Sequence, residues 1–410
     1  MLIGTGTSVD TTSAEAGREA AHKALASLEA GDEPGFAIAF CSGRHNENEV
    51  LRAVESTLNI SEVIGGAAPG IITNDVLSYF EFECSVAVFP KRVGAPQIII
   101  ESYGQDSERN AGVRLGRKLA ELSSDGQAVL LFYDSLKSSP PPELYVGSYL
   151  MDGIYEGMGN KNVNIVGAGV LADMLKRSFI FGAGRVIKHA ALACLLPPSL
   201  NILSTTMHGC IPASPYMTVT RIEGSTLYEL DNMPALEAIK QHLPQMQDLS
   251  QNSVSLSVTI GENHGDKFGD FKEEDYVNRL VMSANAEDGS LTLFEADFEE
   301  GTEVQIMSRD NDLMLKSVSE GTDRLLSRVG DKEVLLATYI DCLGRTGAFN
   351  GCKEEEAERV RQRIGNSVPL FGLYSGVEIA PMLGKSRPLD WTGVLSVIAM
   401  ETPTDATAAL

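Results

Sequence analysis

Apolar and polar positions recur in one order three times along the chain. A continuous apolar run comes first and ends in a cysteine or a small polar residue. An amphipathic stretch follows, then an apolar run entering a glycine-rich turn, then a closing apolar run. In the first copy these are residues 36–43, 47–58, 62–72 and 84–90. In the second they are 128–135, about 143–157, 163–173 and 189–197. In the third they are 334–345, 353–365, 368–381 and 392–400. A short unbroken apolar run predicts a strand buried on both faces. Val50, Leu51, Val54 and Leu58 fall at three-to-four spacing, which predicts a helix with one buried face. Glu354, Glu355 and Glu356 suit the positive start of the third helix.

Further elements lie between the copies. Residues 96–104 read as a strand and 109–122 as a helix. Residues 253–262 alternate as a strand does, and 304–310 followed by 313–329 reads as strand then helix. Two apolar runs around Asp288-Gly289 predict a hairpin. The expected fold is α/β, mixed with α+β character: repeated β-α-β-β units form mixed sheets covered by helices, in two domains. The expected division is an N-terminal segment 1–34, one domain over 35–225, a second over 226–402 and a tail 403–410, with the boundary near 222–231.

Composition narrows the function classes. With 43% hydrophobic and 22% charged residues in 410, the chain reads as globular rather than disordered or fibrous. Its 33 basic residues face 56 acidic ones, a formal net charge of −23. Such a surface repels nucleic acid and anionic membrane, so neither is an expected partner. The six cysteines, at 41, 84, 194, 210, 342 and 352, form no CxxC pair, which removes a zinc ribbon. Cys84 and Cys194 sit in apolar runs as small core residues, a usage that suits a reducing cytoplasm. The first residues lack a basic stretch followed by an apolar one, and no run of about 18 apolar residues occurs, so a cytoplasmic location is expected.

Ligands of such sheets bind where strands end. The three opening runs end at Cys41-Ser42-Gly43, Asp134-Ser135 and Cys342-Leu343-Gly344-Arg345. Glycines such as Gly65 and Gly66 let backbone approach a ligand or make a tight turn. A P-loop and HExxH are absent, residues 372–376 displace the serine of GxSxG by one, and Gly4-Thr5-Gly6 follows no strand long enough for a dinucleotide fingerprint. His208-Gly209-Cys210 puts an imidazole near a thiol, but a nucleophile pair needs a hydrogen bond in space. Cys41, Cys210 and Cys342 are the candidate nucleophiles. His208, Cys210, His189 and Cys342 are the candidate axial ligands should haem be the cofactor. Arg345 follows an apolar strand directly, and its guanidinium fork suits a carboxylate or phosphate. Glu378, in the neighbouring glycine turn, is its expected ion-pair partner.

These residues carry a resemblance. Cys342, Gly344 and Arg345, then Gly372, Tyr374, Ser375, Gly376, Glu378, Ile379 and Pro381, resemble the C-terminal part of the FIST family (F-box and intracellular signal transduction). Val377 stands between the family-like glycine and glutamate. Gly209, Pro212, Val219, Thr220, Glu229, Leu230, Asp231, Pro234, Ala235 and Leu236 resemble the join between its two parts. The turn from Gly65 to Ile71 is similar to the family's N-terminal turn, with alanine in place of its hydroxyl residue. The resemblance spans roughly residues 35–400. It implies a stand-alone sensory protein of intracellular signal transduction that binds a small molecule, such as an amino acid or another small anionic metabolite. A haem-binding gas sensor and an enzyme with a cysteine nucleophile are the alternatives. The implied ligand-binding residues are Cys342, Gly344, Arg345, Tyr374, Ser375, Glu378, Cys41, Ser42, Gly65, Gly66 and His208. A signalling protein or a second copy of the chain is the implied partner.

Overall fold

The computed structural model of the protein describes residues 3–104, 106–172, 175–243, 258–295 and 297–400. The first group of elements is β1 (Gly4–Ser8), α1 (Ser13–Ala26), β2 (Pro34–Cys41), α2 (Glu47–Leu58), β3 (Val63–Ala67), β4 (Gly70–Thr73), β5 (Leu77–Tyr79) and β6 (Cys84–Pro90). The second is β7 (Gln97–Ser102), α3 (Glu108–Leu122), β8 (Ala128–Asp134), the hairpin of β9 (Leu136–Ser138) and β10 (Glu143–Leu144), α4 (Gly147–Met158), β11 (Asn164–Val170), β12 (Ile180–Gly182), β13 (Arg185–Ile187) and β14 (Ala190–Leu195).

The third group opens with β15 (Leu200–Met207) and is interrupted by an inserted sheet. That sheet comprises β16 (Cys210–Pro212), β17 (Met217–Glu223), β18 (Thr226–Leu230), β19 (Met233–Pro234), β20 (Val258–Asn263), β21 (Tyr276–Ala284), β22 (Leu291–Leu293) and β23 (Glu303–Arg309), with helix α5 (Ala235–His242). The group then resumes with α6 (Asn311–Val329), β24 (Glu333–Cys342), the short α7 (Gly347–Asn350), α8 (Glu356–Ile364), β25 (Phe371–Ser375), β26 (Val377–Met382), β27 (Lys385–Leu389) and β28 (Gly393–Met400).

Three six-stranded sheets result, each centred on a parallel pair joined by a helix: β2 with β3, β8 with β11, β24 with β25. Each group sends a hairpin out of its own sheet. β4–β5 leaves the first group and pairs with β25 of the third. β12–β13 leaves the second and pairs with β3 of the first. β26–β27 leaves the third and pairs with β11 of the second. The body is therefore closed by a cyclic exchange of hairpins. The inner faces of all three sheets share one apolar core, in which Phe40 meets Phe132 and Phe371 at centroid distances of 5.4 and 5.7 Å. The outer faces are covered by α1 with α2, α3 with α4, and α6 with α8. That double burial is why the opening runs read as unbroken apolar stretches.

Local chemistry sets the helix ends. The Asn46 side chain accepts from the backbone N–H of Asn48 and Glu49 to start α2, and Asn59 ends it at φ 53°. Asp310 caps α6 in the same way. The helix expected at 143–157 begins instead at Gly147, because Glu143 and Leu144 pair back onto β9. The third helix is Glu356–Ile364, shorter at both ends than its charge pattern suggests. The Asp288-Gly289 hairpin forms between β21 and β22. Of the strand expected at 253–262, the part from Val258 is present and the rest lies outside the described residues, as does Asp173.

Close approach at each parallel pair depends on glycine. A Cβ on Gly65, Gly167 or Gly372 would stand 2.1, 1.8 or 1.9 Å from the carbonyl oxygen of Ala39, Leu131 or Tyr339 respectively. These strands are held between a parallel neighbour and an exchanged hairpin, so the backbone has no open side into which to relax. Gly372→Ala is accordingly expected to destabilise the protein by about 3 kcal/mol or more. Urea denaturation reads this directly, and a loss below about 1 kcal/mol would show that the sheet adjusts.

Candidate functional site

The parallel strands β24 and β25 end side by side, with Cys342 opposite Ser375. Beyond them the chain turns away through Leu343–Arg345 on one strand and Gly376 on the other. Where they diverge, a cavity of about 170 Å³ opens against the inserted sheet. Its body-side wall includes Leu171, Cys342, Gly344, Ser375 and Trp391, and its insert-side wall is Leu280, Val281, Met282 and Phe294. The lining is apolar apart from Ser375 and the Cys342 thiol. Gly344 is needed where it stands, because a Cβ there would lie 2.9 Å from the Trp391 ring.

Behind this wall lies a shell of buried polar groups. The Ser375 hydroxyl donates to Glu378 at 2.7 Å, and the Thr392 N–H reaches the other Glu378 oxygen at 3.4 Å. Burial holds the Glu378 carboxyl well above the usual carboxylate range, and nearby Asp390 adds to this. Burial raises the Cys342 thiol as well, so the neutral thiol is favoured. Tyr374 is buried, and its hydroxyl has no partner among the described residues. Asp390 is pushed up to about 7 and Glu295 to about 8, burial being the first cause in each case. Beside them Arg279 forms a two-pronged bond with Asp297.

Arg345 does not reach the cavity. It is fully buried, and its guanidinium is occupied on all sides. Nε donates to Glu356 at 2.9 Å, and Nη2 donates to the second Glu356 oxygen. Nη1 donates to the carbonyls of His208 and Trp391, each at 2.9 Å, and Asp341 lies 3.5 Å from Nε. Burial alone would lower its pKa, but Glu356, Tyr339 and Asp341 hold it raised. The ion-pair partner of Arg345 is thus Glu356, the first residue of α8, and not the sequence-expected Glu378.

The remaining expected residues lie elsewhere. The His208 Nδ1 accepts from the Cys210 N–H at 2.9 Å, and Nε2 donates to the Glu273 carbonyl at 2.9 Å, so both ring nitrogens are occupied. Cys41 and Ser42 close β2 in the first sheet, where burial raises the Cys41 thiol and Ser42 accepts from the Arg44 N–H. Gly65 and Gly66 are packed in β3, against the carbonyls of Ala39 and Phe179. Burial lifts Cys210 to about 11. Among the described residues no group of three or more His, Cys, Asp or Glu could hold a metal ion.

The cavity therefore collects Cys342, Gly344 and Ser375, with Tyr374, Glu378 and Arg345 behind them. Sequence reasoning missed Trp391 and the insert-side wall. Trp391 had a signal, being the single tryptophan of the chain and standing next to the closing strand.

Two outcomes follow. Arg345→Ala leaves Glu356 buried without its cation and is expected to cost about 3–5 kcal/mol of stability. The double variant Arg345→Ala, Glu356→Ala should lose less than the single one in urea denaturation, and equal losses would mean the two are not coupled. The second outcome concerns pH. The native protein holds protons on Asp390 and Glu295 that the unfolded chain releases near pH 4 to 4.5. Unfolding free energy should therefore fall as pH rises from about 4 toward 8. Asp390→Asn should flatten that slope, and an unchanged slope would place its source elsewhere.

Residues 35–233 match the FIST N domain and residues 235–381 match the FIST C domain. No curated protein matches the chain. Among solved structures it is similar to a cyanuric acid hydrolase from A. caulinodans, at 10% identity and a TM-score of 0.37, over 98% of this chain and 99% of that one. It is also similar to a chorismatase, at 9% identity and a TM-score of 0.31, over 90% and 94% respectively. With its two domain types matched in order over most of its length, the chain belongs to the FIST family.

Proposed function

We propose that this protein is a small-ligand sensor whose ligand occupies the apolar cavity between the ends of β24 and β25 and the inserted sheet. The observation that carries this reading is the cavity itself. It lies where open α/β sheets bind ligands, beyond the carboxyl ends of parallel strands. An apolar cavity of about 150 Å³ holds a benzene-sized molecule, so the 170 Å³ here suits a ligand of on the order of ten heavy atoms or fewer.

The surrounding chemistry supports an uncharged, largely apolar ligand with one polar atom. The guanidinium that made an anion attractive from sequence is fully engaged with Glu356 and two carbonyls. Ser375 and the raised Glu378 behind it offer hydrogen bonding without full charge. Binding over reaction is supported by the thiols, since Cys41, Cys210 and Cys342 are all buried with raised pKa values. A haem reading through His208 is weakened by its two occupied nitrogens.

Sensing requires that binding bias something that moves. One wall of the cavity belongs to the inserted sheet and the other to the body. A ligand touching both would fix their relative position, and a partner protein or second copy docked on the insert would read that position. The cysteines are all free, which suits a reducing compartment. Among the described residues no helix is long and apolar enough to cross a membrane.

A thermal-shift panel of small alcohols, phenols and indoles tests this. A ligand present at about 100 times its dissociation constant adds about 2.7 kcal/mol. Met282 lies partly exposed at the rim, so Met282→Trp should obstruct the cavity while changing stability by less than about 0.5 kcal/mol. Loss of the ligand-induced shift in Met282→Trp is the expected outcome. A shift that survives this substitution, or a panel to which only anions respond, would contradict the assignment.

A further inference from the structure

A second cavity separates the inserted sheet from the body, and its chemistry differs from that of the first. It measures about 160 Å³ and is bounded by Glu262, His264 and Arg279 of the insert, Lys385 and Arg387 of β27, and Ser148 of α4. Arg109 of α3 completes a set of four cations around it.

Three of these cations are matched. Arg279 donates to Asp297 through Nε at 2.7 Å. Lys385 stands 3.3 Å from Asp152 and 4.8 Å above the centre of the Tyr155 ring. Arg109 pairs with Glu156 at 3.1 Å. Arg387 has no such partner: among the described residues its guanidinium makes no ion pair, and its Nε is buried without a hydrogen bond. A buried donor left unpaired is costly, and a guanidinium fork is shaped for a carboxylate.

The neighbouring carboxyls do not fill that role. Asp297 is engaged by Arg279 and by the Ser148 hydroxyl at 2.6 Å, and Asp152 is engaged by Lys385. Glu262 lies 3.4 Å from His264; burial and then Asp297 raise its pKa, against which Arg279 and Arg387 pull it down, but it makes no ion pair with Arg387. Glu299 sits on the exposed rim. Burial, followed by Arg387 and Arg279, pushes His264 down to about 4, so the imidazole is neutral and offers a hydrogen bond rather than a charge. The cavity thus presents one uncommitted cation in polar surroundings.

We propose that this cavity is a binding site for a small carboxylate, gripped by Arg387 and bridging the inserted sheet to the β27 edge of the body. A water occupies about 30 Å³ of liquid, so the space admits a carboxylate of about two to four carbons. The site is separate from the apolar cavity and does not rest on the reading given to that one. Because its walls come from both parts, an occupied site would hold the insert down. The two cavities meet the same insert strand: Arg279 of β21 lines this one and Leu280 of β21 lines the other.

Calorimetric titration of the full chain with malonate, and with acetate for comparison, tests the proposal. Sodium chloride is used to hold ionic strength constant, because a chain of net charge −23 responds to salt in general. Malonate should bind, and Arg387→Gln should weaken it at least tenfold. Arg387→Lys, which keeps the charge without the fork, should fall between the two and guards against misfolding of the glutamine variant. Lys316→Gln, which removes an exposed cation of α6 that lines neither cavity, should leave malonate affinity unchanged, which separates the grip of Arg387 from the effect of net charge. Hydrogen exchange of β20 and β27 amides should slow when malonate is present. Absence of malonate binding, or equal affinity in wild type and Arg387→Gln, would overturn the proposal.

Discussion

Arg345 is fully buried, so its N–H donors must find their acceptors within the protein. Glu356 takes two of them, and the carbonyls of His208 and Trp391 take two more bonds. Those four contacts tie together the turn after β24, the start of α8, the entry to the inserted sheet and the loop before β28. Each of these segments borders or supports the apolar cavity. A lysine could supply the charge but not the planar fork that reaches Glu356 with two bonds and the carbonyls with a third nitrogen. The directional bonds of this buried guanidinium hold the loop geometry around Cys342, Gly344 and Trp391.

The hairpin exchange places the rest. Because β26–β27 crosses to the second group, Glu378 and Arg387 lie on strands shared between two parts of the chain. Because the insert leaves between β15 and α6, it returns over the open end of the third parallel pair. The two cavities are the gaps left where the insert rests on the body. One is walled by Leu280, Met282 and Phe294 and is apolar. The other is walled by His264, Arg279 and Arg387 and is polar. Between them run the buried acids Glu295 and Asp390. Glu295 accepts from the N–H groups of Gly147 and Ser148 at the start of α4, which docks the insert on the second group.

The three opening strands, their helices and the Asp288-Gly289 hairpin were legible because each is decided by local pattern. The exchange was not. The sequence of an exchanged hairpin carries no mark of the sheet it will join, and the pairing of Ile71 with Leu373 spans most of the chain. β1 and β15 escaped notice for different reasons. The sequence of β1 is Gly-Thr-Gly-Thr-Ser, whose glycines admit the carbonyls of α1, and the second half of β15 carries the polar run Ser204, Thr205 and Thr206 before Met207. At the site, Cys342 and Gly344 came from reading strand ends as ligand positions, and Ser375 from the family resemblance. The role of Arg345 did not, because a guanidinium after an apolar strand looks the same whether it faces a ligand or a buried glutamate eleven residues on. Trp391, Asp390 and the insert wall reach the cavity through tertiary packing alone.

On the proposed reading, a ligand at the joint between the two parts would alter how the insert sits. The central claim is that the apolar cavity accepts a ligand in solution. Methyl labelling of the methionines gives the most direct check, because Met282, at the cavity rim, is the methionine that lines the cavity among the described residues. Spectra recorded while a ligand from the small-alcohol and indole panel is added should show the Met282 methyl shifting first and furthest. Saturating shifts at other methionines with Met282 unmoved would place the ligand elsewhere and contradict the account.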